Sequence, residues 1–148
     1  MKSGIDLKSM KQIQELEKSL LKLGPRVAKK VTNKAMTAAR KPVVKAIRSN
    51  VPVRTGELKK SIGSKQKTYK GKSVRMSIIG ARSRPTVDEN GRKNNPAFYA
   101  HLVEFGTATG TSPTSFMRKG WDSSERIALA RFIKAYRKGV AAEAKAVA

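Results

Sequence analysis

The chain has 148 residues, with 33 Lys and Arg against 10 Asp and Glu, a net charge of +23, and no cysteine. That length suits a single domain over 1–148 with a core that needs neither metal nor disulfide. The lack of Cys excludes a disulfide scaffold, a thiolate zinc site and a thiol nucleophile. No apolar run approaches a membrane span, and the N-terminus lacks the apolar stretch of a secretory signal.

Residues 1–50 read as helical. From about Asp6 to Leu23, the apolar residues Ile13, Leu16, Leu20 and Leu23 share one helical face, and Gly24-Pro25 ends the segment. A second helix runs from Pro25 to about Asn50. Val27, Val31, Ala35 and Ala38 form its apolar face, and Arg26, Lys29, Lys30, Lys34, Arg40 and Lys41 occupy much of another. After Pro42 the apolar positions Val43, Val44 and Ile47 leave the earlier stripe, so a kink or a break near Pro42 is expected, with different neighbours on either side.

The segment Val51-Pro52-Val53-Arg54-Thr55-Gly56-Glu57-Leu58 reads as a specified loop. Pro52 stops the helix, Gly56 permits a positive φ, and Thr55 is the expected cap of a short following turn. Residues 61–80 read as a β-hairpin. Val74, Met76 and Ile78 alternate with Arg75 and Ser77 as in a half-buried strand, Ile62 to Tyr69 is a weaker strand, and Lys70-Gly71-Lys72 is the turn.

Residues 82–96 read as a long polar loop, at this length either functional or mobile, which an assembly protein could order only when its neighbours arrive. Ala97 to Phe105 is apolar and fits a short helix or a strand, the helix preferred, and residues 106–113 read as a Gly/Thr/Ser loop. A C-terminal amphipathic helix is expected over 122–141. Asp122 and Glu125 would form its capping box, and Leu129, Phe132, Ile133, Tyr136 and Val140 its apolar face. Leu102, Phe105, Phe116 and Trp121 are expected in the core rather than at an interface, though a ring could use any of them. The fold class is α+β: long N-terminal helices, a small antiparallel hairpin and a C-terminal helix.

The basic excess is uneven. Residues 1–60 carry 16 basic and 4 acidic groups, residues 61–97 carry 9 and 2, and residues 98–148 carry 8 and 4. Such a charge attracts polyanions or suits acidic neighbours in an assembly. Aromatic residues are only 5% of the chain, too few for base-stacking platforms, so any DNA contact is expected to be non-specific and with the backbone.

Catalytic chemistry has little footing. His101 is the one histidine, with no partner His or Cys for a metal and no nucleophile elbow around any Ser. The acids are scattered, and Walker and dinucleotide-binding motifs are missing. No catalytic residue, cofactor or metal is expected, and an enzyme is not the reading.

Two segments carry a resemblance. One is Val51-Pro52-Val53-Arg54-Thr55-Gly56-Glu57-Leu58-Lys59-Lys60-Ser61-Ile62. The other is Tyr99-Ala100-His101-Leu102-Val103-Glu104-Phe105-Gly106-Thr107, followed by Pro113 and Phe116-Met117-Arg118. In this order the chain resembles the tail-component or tail-completion family of long-tailed bacteriophages, typified by the gene-ten product of a lambdoid phage. It departs where Pro113 is separated from Phe116 and where Lys119-Gly120 stands in place of a second Pro.

The resemblance implies a structural virion protein of the neck or upper tail, assembled in the bacterial cytoplasm. It would form a homo-oligomeric ring, with a hexamer favoured and a dodecamer the alternative. Its other partners would be the head connector or adaptor and tail terminator or tube proteins, with non-specific contact to packaged DNA. Val51, Pro52, Arg54, Thr55, Gly56 and Leu58 of the first segment are assembly or fold candidates. So are Tyr99, Glu104, Phe105, Gly106, Thr107 and Phe116. Glu104 is expected to pair with Arg54 or a neighbouring subunit's base, or to remain solvated. The alternative reading is a non-specific DNA-binding accessory protein.

Overall fold

The computed structural model describes residues 7–22, 24–68, 75–83, 85–87, 91, 93–110 and 112–147. In chain order the elements are α1 (Leu7–Leu21), α2 (Pro25–Asn50), α3 (Glu57–Ser61), β1 (Ile62–Thr68), β2 (Arg75–Ala81), β3 (Thr86–Val87), β4 (Lys93–Asn94), α4 (Pro96–Phe105) and α5 (Phe116–Val147). This is an α+β fold with a small antiparallel sheet and a long C-terminal helix. The contacts divide it into two compact units, one of residues up to Ala39 and from Arg126 onward, the other Arg40–Glu125.

The first unit is helical. Val31 and Ala35 of α2 and Tyr136 of α5 are buried together, with Leu16 of α1, Val27, Phe132 and Val140 packed against them. These are the apolar positions at helical spacing, gathered because each helix has one stripe to remove from water. The rings of Phe132 and Tyr136 stack with centroids 5.4 Å apart. A Cβ on Gly139 would fall 2.7 Å from a methyl of Val31, so the missing side chain lets α5 lie close to α2. Of the expected α1 face, Leu23 and the side chain of Leu20 lie outside the described residues.

In the second unit, α2 continues through Pro42 without a break, so that alternative is set aside. The buried Val43 and Ile47 that follow belong to this unit, whereas Val31 and Ala35 belong to the first. The change of neighbours expected at Pro42 is therefore present. α2 ends at Asn50, just before Val51-Pro52. Gly56 opens α3 with φ +76°, as expected, but no side chain caps α3 and Thr55 is exposed. The backbone turn alone delivers the chain, with Lys60 N donating to Gly56 O at 3.0 Å.

Strands β1 and β2 pair antiparallel, Ile62 opposite Ala81 through Thr68 opposite Arg75. The apolar alternation points the opposite way from the simple expectation. Met76 is 37% and Ile78 43% exposed, while Arg75, Ser77 and Ile79 are more covered. Ile62, fully buried at the exit of α3, sets this face. It lies opposite Ala81, and a period of two then puts Ile79, Ser77 and Arg75 on its side. Val74 and the expected turn at residues 70–72 lie outside the described residues. The flank of β1 is closed by arginines, which limits strand addition there. Arg48 donates to Ile62 O from Nε at 3.1 Å and from Nη2 at 2.7 Å, and Arg82 Nη2 donates to Ser64 O at 2.5 Å.

Part of the polar segment 82–96 is paired: β3 and β4 form a short antiparallel ladder, Thr86 with Asn94 and Val87 with Lys93. Asn90 is outside the described residues. Helix α5 begins at Phe116, well ahead of Asp122. Asp122 and Glu125 are thus interior helix residues and not a capping box, because the helix takes its cap from elsewhere in the chain.

Candidate assembly surface

Helix α4 is defined at both ends by its sequence. Asn95 is extended and its Oδ1 accepts from Ala97 N at 3.2 Å, while Pro96 takes the first helical position. Gly106, with φ +77°, ends the helix, its N–H donating to Leu102 O at 2.8 Å. α4 packs on α3 and β2, which brings the two motif segments together. Val51 and Leu58 are buried. Tyr99 is half-buried, and its hydroxyl pKa is raised by burial and then by the charge of Glu57.

The C-terminal end of α4 is clasped to the start of α5 through Glu104, which is 7% exposed. Its Oε2 accepts from Met117 N at 2.8 Å and its Oε1 from Arg118 N at 3.3 Å. The first amides of a helix have no partner within it, and the N-terminal end of its dipole favours an anion. Glu104 therefore caps α5 from a distant point in the chain. The clasp is completed by backbone amides and one hydroxyl: Thr114 N donates to Val103 O at 3.1 Å, Ser115 N to Glu104 O at 3.1 Å, and the Thr114 side-chain Oγ1 to Val103 O at 2.7 Å. Ser115 takes φ +49° to make the turn, and Phe116 behind it is fully buried.

The outward side of α4 is largely apolar, with the exposed His101 among its residues. Phe98 is 76%, Leu102 41% and Phe105 75% exposed, at i, i+4 and i+7 on one helical face. The expected core placement holds for Phe116 alone; Leu102, Phe105 and Trp121 are exposed. Burial of α4 on its other face explains the exposure of Leu102 and Phe105, since a ten-residue helix packed through one side leaves the opposite stripe to solvent.

A family model described as "Bacteriophage HK97-gp10, putative tail-component" matches residues 14–106. This chain belongs to that family of phage tail components. No curated protein and no solved structure matches the chain. As a tail component it is a virion protein that works against other phage structural proteins. The matched span runs from within α1 to Gly106, just past α4; it holds the first motif segment and the second as far as Gly106, Glu104 included, while Thr107, Pro113 and all of α5 lie beyond it.

Within the tail component the motif residues divide by role. Val51, Leu58, Glu104 and Phe116 are buried, and Gly56 and Gly106 supply positive φ. Pro52, Arg54, Thr55 and Phe105 are exposed, and Thr107 is half-buried. Glu104 makes no ion pair with Arg54, and it is not solvated either: backbone amides occupy both of its oxygens. Thr114, Ser115, Asn95 and Phe98 are the residues that sequence reasoning missed. Thr114-Ser115 directly before an apolar residue was a legible helix-start signal; the capping partner in α4 was not.

Of the basic set, Arg26, Lys29, Lys30 and Lys34 lie exposed on α2 in the first unit, where Lys30 Nζ pairs with Glu143 at 2.8 Å. Arg40, half-buried, and Lys41, exposed, belong to the second unit. Among the described residues no group of His, Cys, Asp or Glu is placed to hold a metal, and no helix is long and apolar enough to cross a membrane.

Proposed function

We propose that this tail component forms a ring at the neck or upper tail of the virion, where it completes the tail and joins it to the DNA-filled head. The observation that supports this reading is the pair of motif segments, in family order, folded against each other. Together they hold out an apolar helix face that a lone soluble subunit has no use for. Its partners are further copies of itself, with a hexamer favoured, together with a connector or adaptor ring on one side and terminator or tube proteins on the other. Assembly takes place in the bacterial cytoplasm, and the basic surface faces packaged DNA or acidic neighbouring rings.

The test is to delete the gene from its phage and image the particles in infected-cell lysates. Separate full heads and finished tails are expected. Normal joined virions would overturn the placement. They would favour the second reading, a non-specific DNA-binding accessory protein, which the net charge of +23 supports. That reading requires duplex affinity that persists at physiological salt, with a steep dependence on salt.

A further inference from the structure

Positive charge is missing from one stretch of the chain. From Asn94 to Met117 there is no Lys or Arg, although the chain carries 33 of them in 148 residues. The one acid in that stretch, Glu104, is buried and bound to backbone amides. The exposed stripe Phe98–Leu102–Phe105, with the exposed His101 between its residues, therefore carries no Lys or Arg of its own. Two copies of a chain with charge +23 repel, and the residues of α4 add no Lys or Arg to that repulsion.

The second unit carries another exposed apolar patch of different character. Ile78 lies opposite Lys65 and Met76 opposite Lys67, all four exposed on the same face of the β1–β2 hairpin. Two such faces cannot meet without bringing four ammonium groups together. An aromatic stripe without Lys or Arg suits this face better. Met76 and Ile78 would cover the rings, and the lysine stems would lie along them with their ammonium groups over the ring faces.

We propose that the α4 stripe of one copy docks on the outward hairpin face of a second copy. The two patches differ, so the contact is heterologous: each subunit uses its stripe for one neighbour and its hairpin for the other, and the series closes as a ring. This rests on the ring reading above and names the surface between its subunits. The exposed aromatic residues would be the anchors of that interface.

The absence of cysteine makes the test clean. Full-length Phe105→Cys and Ile78→Cys chains are made separately, mixed, and treated with a short bis-maleimide, with exposed Val53→Cys as control. Cross-linked dimer is expected from the mixture and not from either variant alone. A Phe98→Ser/Phe105→Ser double variant, checked for unchanged circular dichroism, is expected to raise the self-association constant for dissociation by about tenfold or more in sedimentation. Cross-linking of Phe105→Cys with itself at the mixture's level would overturn the proposal in favour of a two-fold contact. A mixture that cross-links no better than the control, or a parent chain that stays monomeric at high concentration, would also overturn it. Neither of those results touches the particle phenotype on gene deletion, so the surface and the placement in the virion fail separately.

Discussion

Replacing Glu104 should destabilise the second unit more than any other single loss of a polar side chain in the clasp. In Glu104→Ala, the amides of Met117 and Arg118 lose their acceptor. A buried donor left unsatisfied costs about 1–3 kcal/mol. The Met117 bond, at 2.8 Å, carries the larger share, while Arg118 is exposed and its longer 3.3 Å bond is partly replaced by water. Loss of the carboxylate also removes its interaction with the start of α5, worth about 0.3–2 kcal/mol depending on burial. The sum is roughly 2–4 kcal/mol, a large part of the ~5–15 kcal/mol that holds a typical domain. Glu104→Gln keeps the volume and one acceptor oxygen but turns an amide NH2 toward the second donor, so a loss of about 1–2 kcal/mol is expected. Urea titration followed by far-UV circular dichroism reads both values, with an unchanged slope confirming that the midpoint shift reflects stability. A Glu104→Ala midpoint within about 0.5 kcal/mol of the parent would refute the capping argument, because surface acids commonly tolerate replacement at that level.

Two further outcomes follow from packing and titration. Gly120→Ala should cost at least about 1 kcal/mol more than Gly139→Ala in the same urea assay, since overpacking against backbone typically costs about 1–3 kcal/mol. A Cβ on Gly120 would lie 2.6 Å from Ile47 Cα and 2.7 Å from Ile47 N, whereas at Gly139 only the Val31 side chain is in the way, and Ala's better helix propensity offsets part of that clash. Burial raises the Tyr136 hydroxyl pKa, the charge of Glu17 adds to this, and its hydrogen bond with Thr32 opposes it. The folded chain therefore keeps that proton to higher pH than the unfolded chain, so stability is full below the ordinary tyrosine pKa and falls as pH rises above about 10. Tyr136→Phe should be about 0.5–1.5 kcal/mol less stable at neutral pH, and its deficit should shrink in alkali; a deficit that stays constant or grows argues against the assignment.

The parts of the fold legible in the sequence are those governed by local rules. Leu16, Val31 and Tyr136 fall at helical spacing, and they meet in the first unit's core. Gly24-Pro25, Pro52 and Gly56 punctuate the chain where backbone geometry demands it. The errors share a cause: each was settled by contacts between residues far apart in the chain. Met76 and Ile78 looked like the inner face of a strand, but Ile62, positioned by α3, fixed the opposite face. Phe105 looked like core because it is aromatic and sits within an apolar run, yet α4 buries its other side. Asp122 and Glu125 had the spacing of a capping box, while the real cap, Glu104, precedes the helix by a whole loop.

The position of Glu104 also bears on why the second motif has its form. In a chain with 33 basic residues an acid has many cations to choose from, and a surface ion pair would contribute about 0–1 kcal/mol. Amides at the start of a 32-residue helix offer more, because they cannot be satisfied within the helix and they point in a fixed direction. Accepting from them fixes the end of α4 against the start of α5, and with it the neighbouring Phe105. Gly106 must follow because the chain turns there through a positive φ that a side chain would oppose. Glu-Phe-Gly is thus one device: the acid anchors, the glycine turns, and the phenylalanine between them is held outward. An exposed aromatic on a flexible segment would lose much of its binding energy to ordering on contact, whereas one carried on a clasped helix has met that cost in folding. The same carboxylate that stabilises the subunit therefore prepares the surface by which the subunit is proposed to assemble. Glu104→Gln should consequently weaken self-association even at temperatures where the chain remains folded.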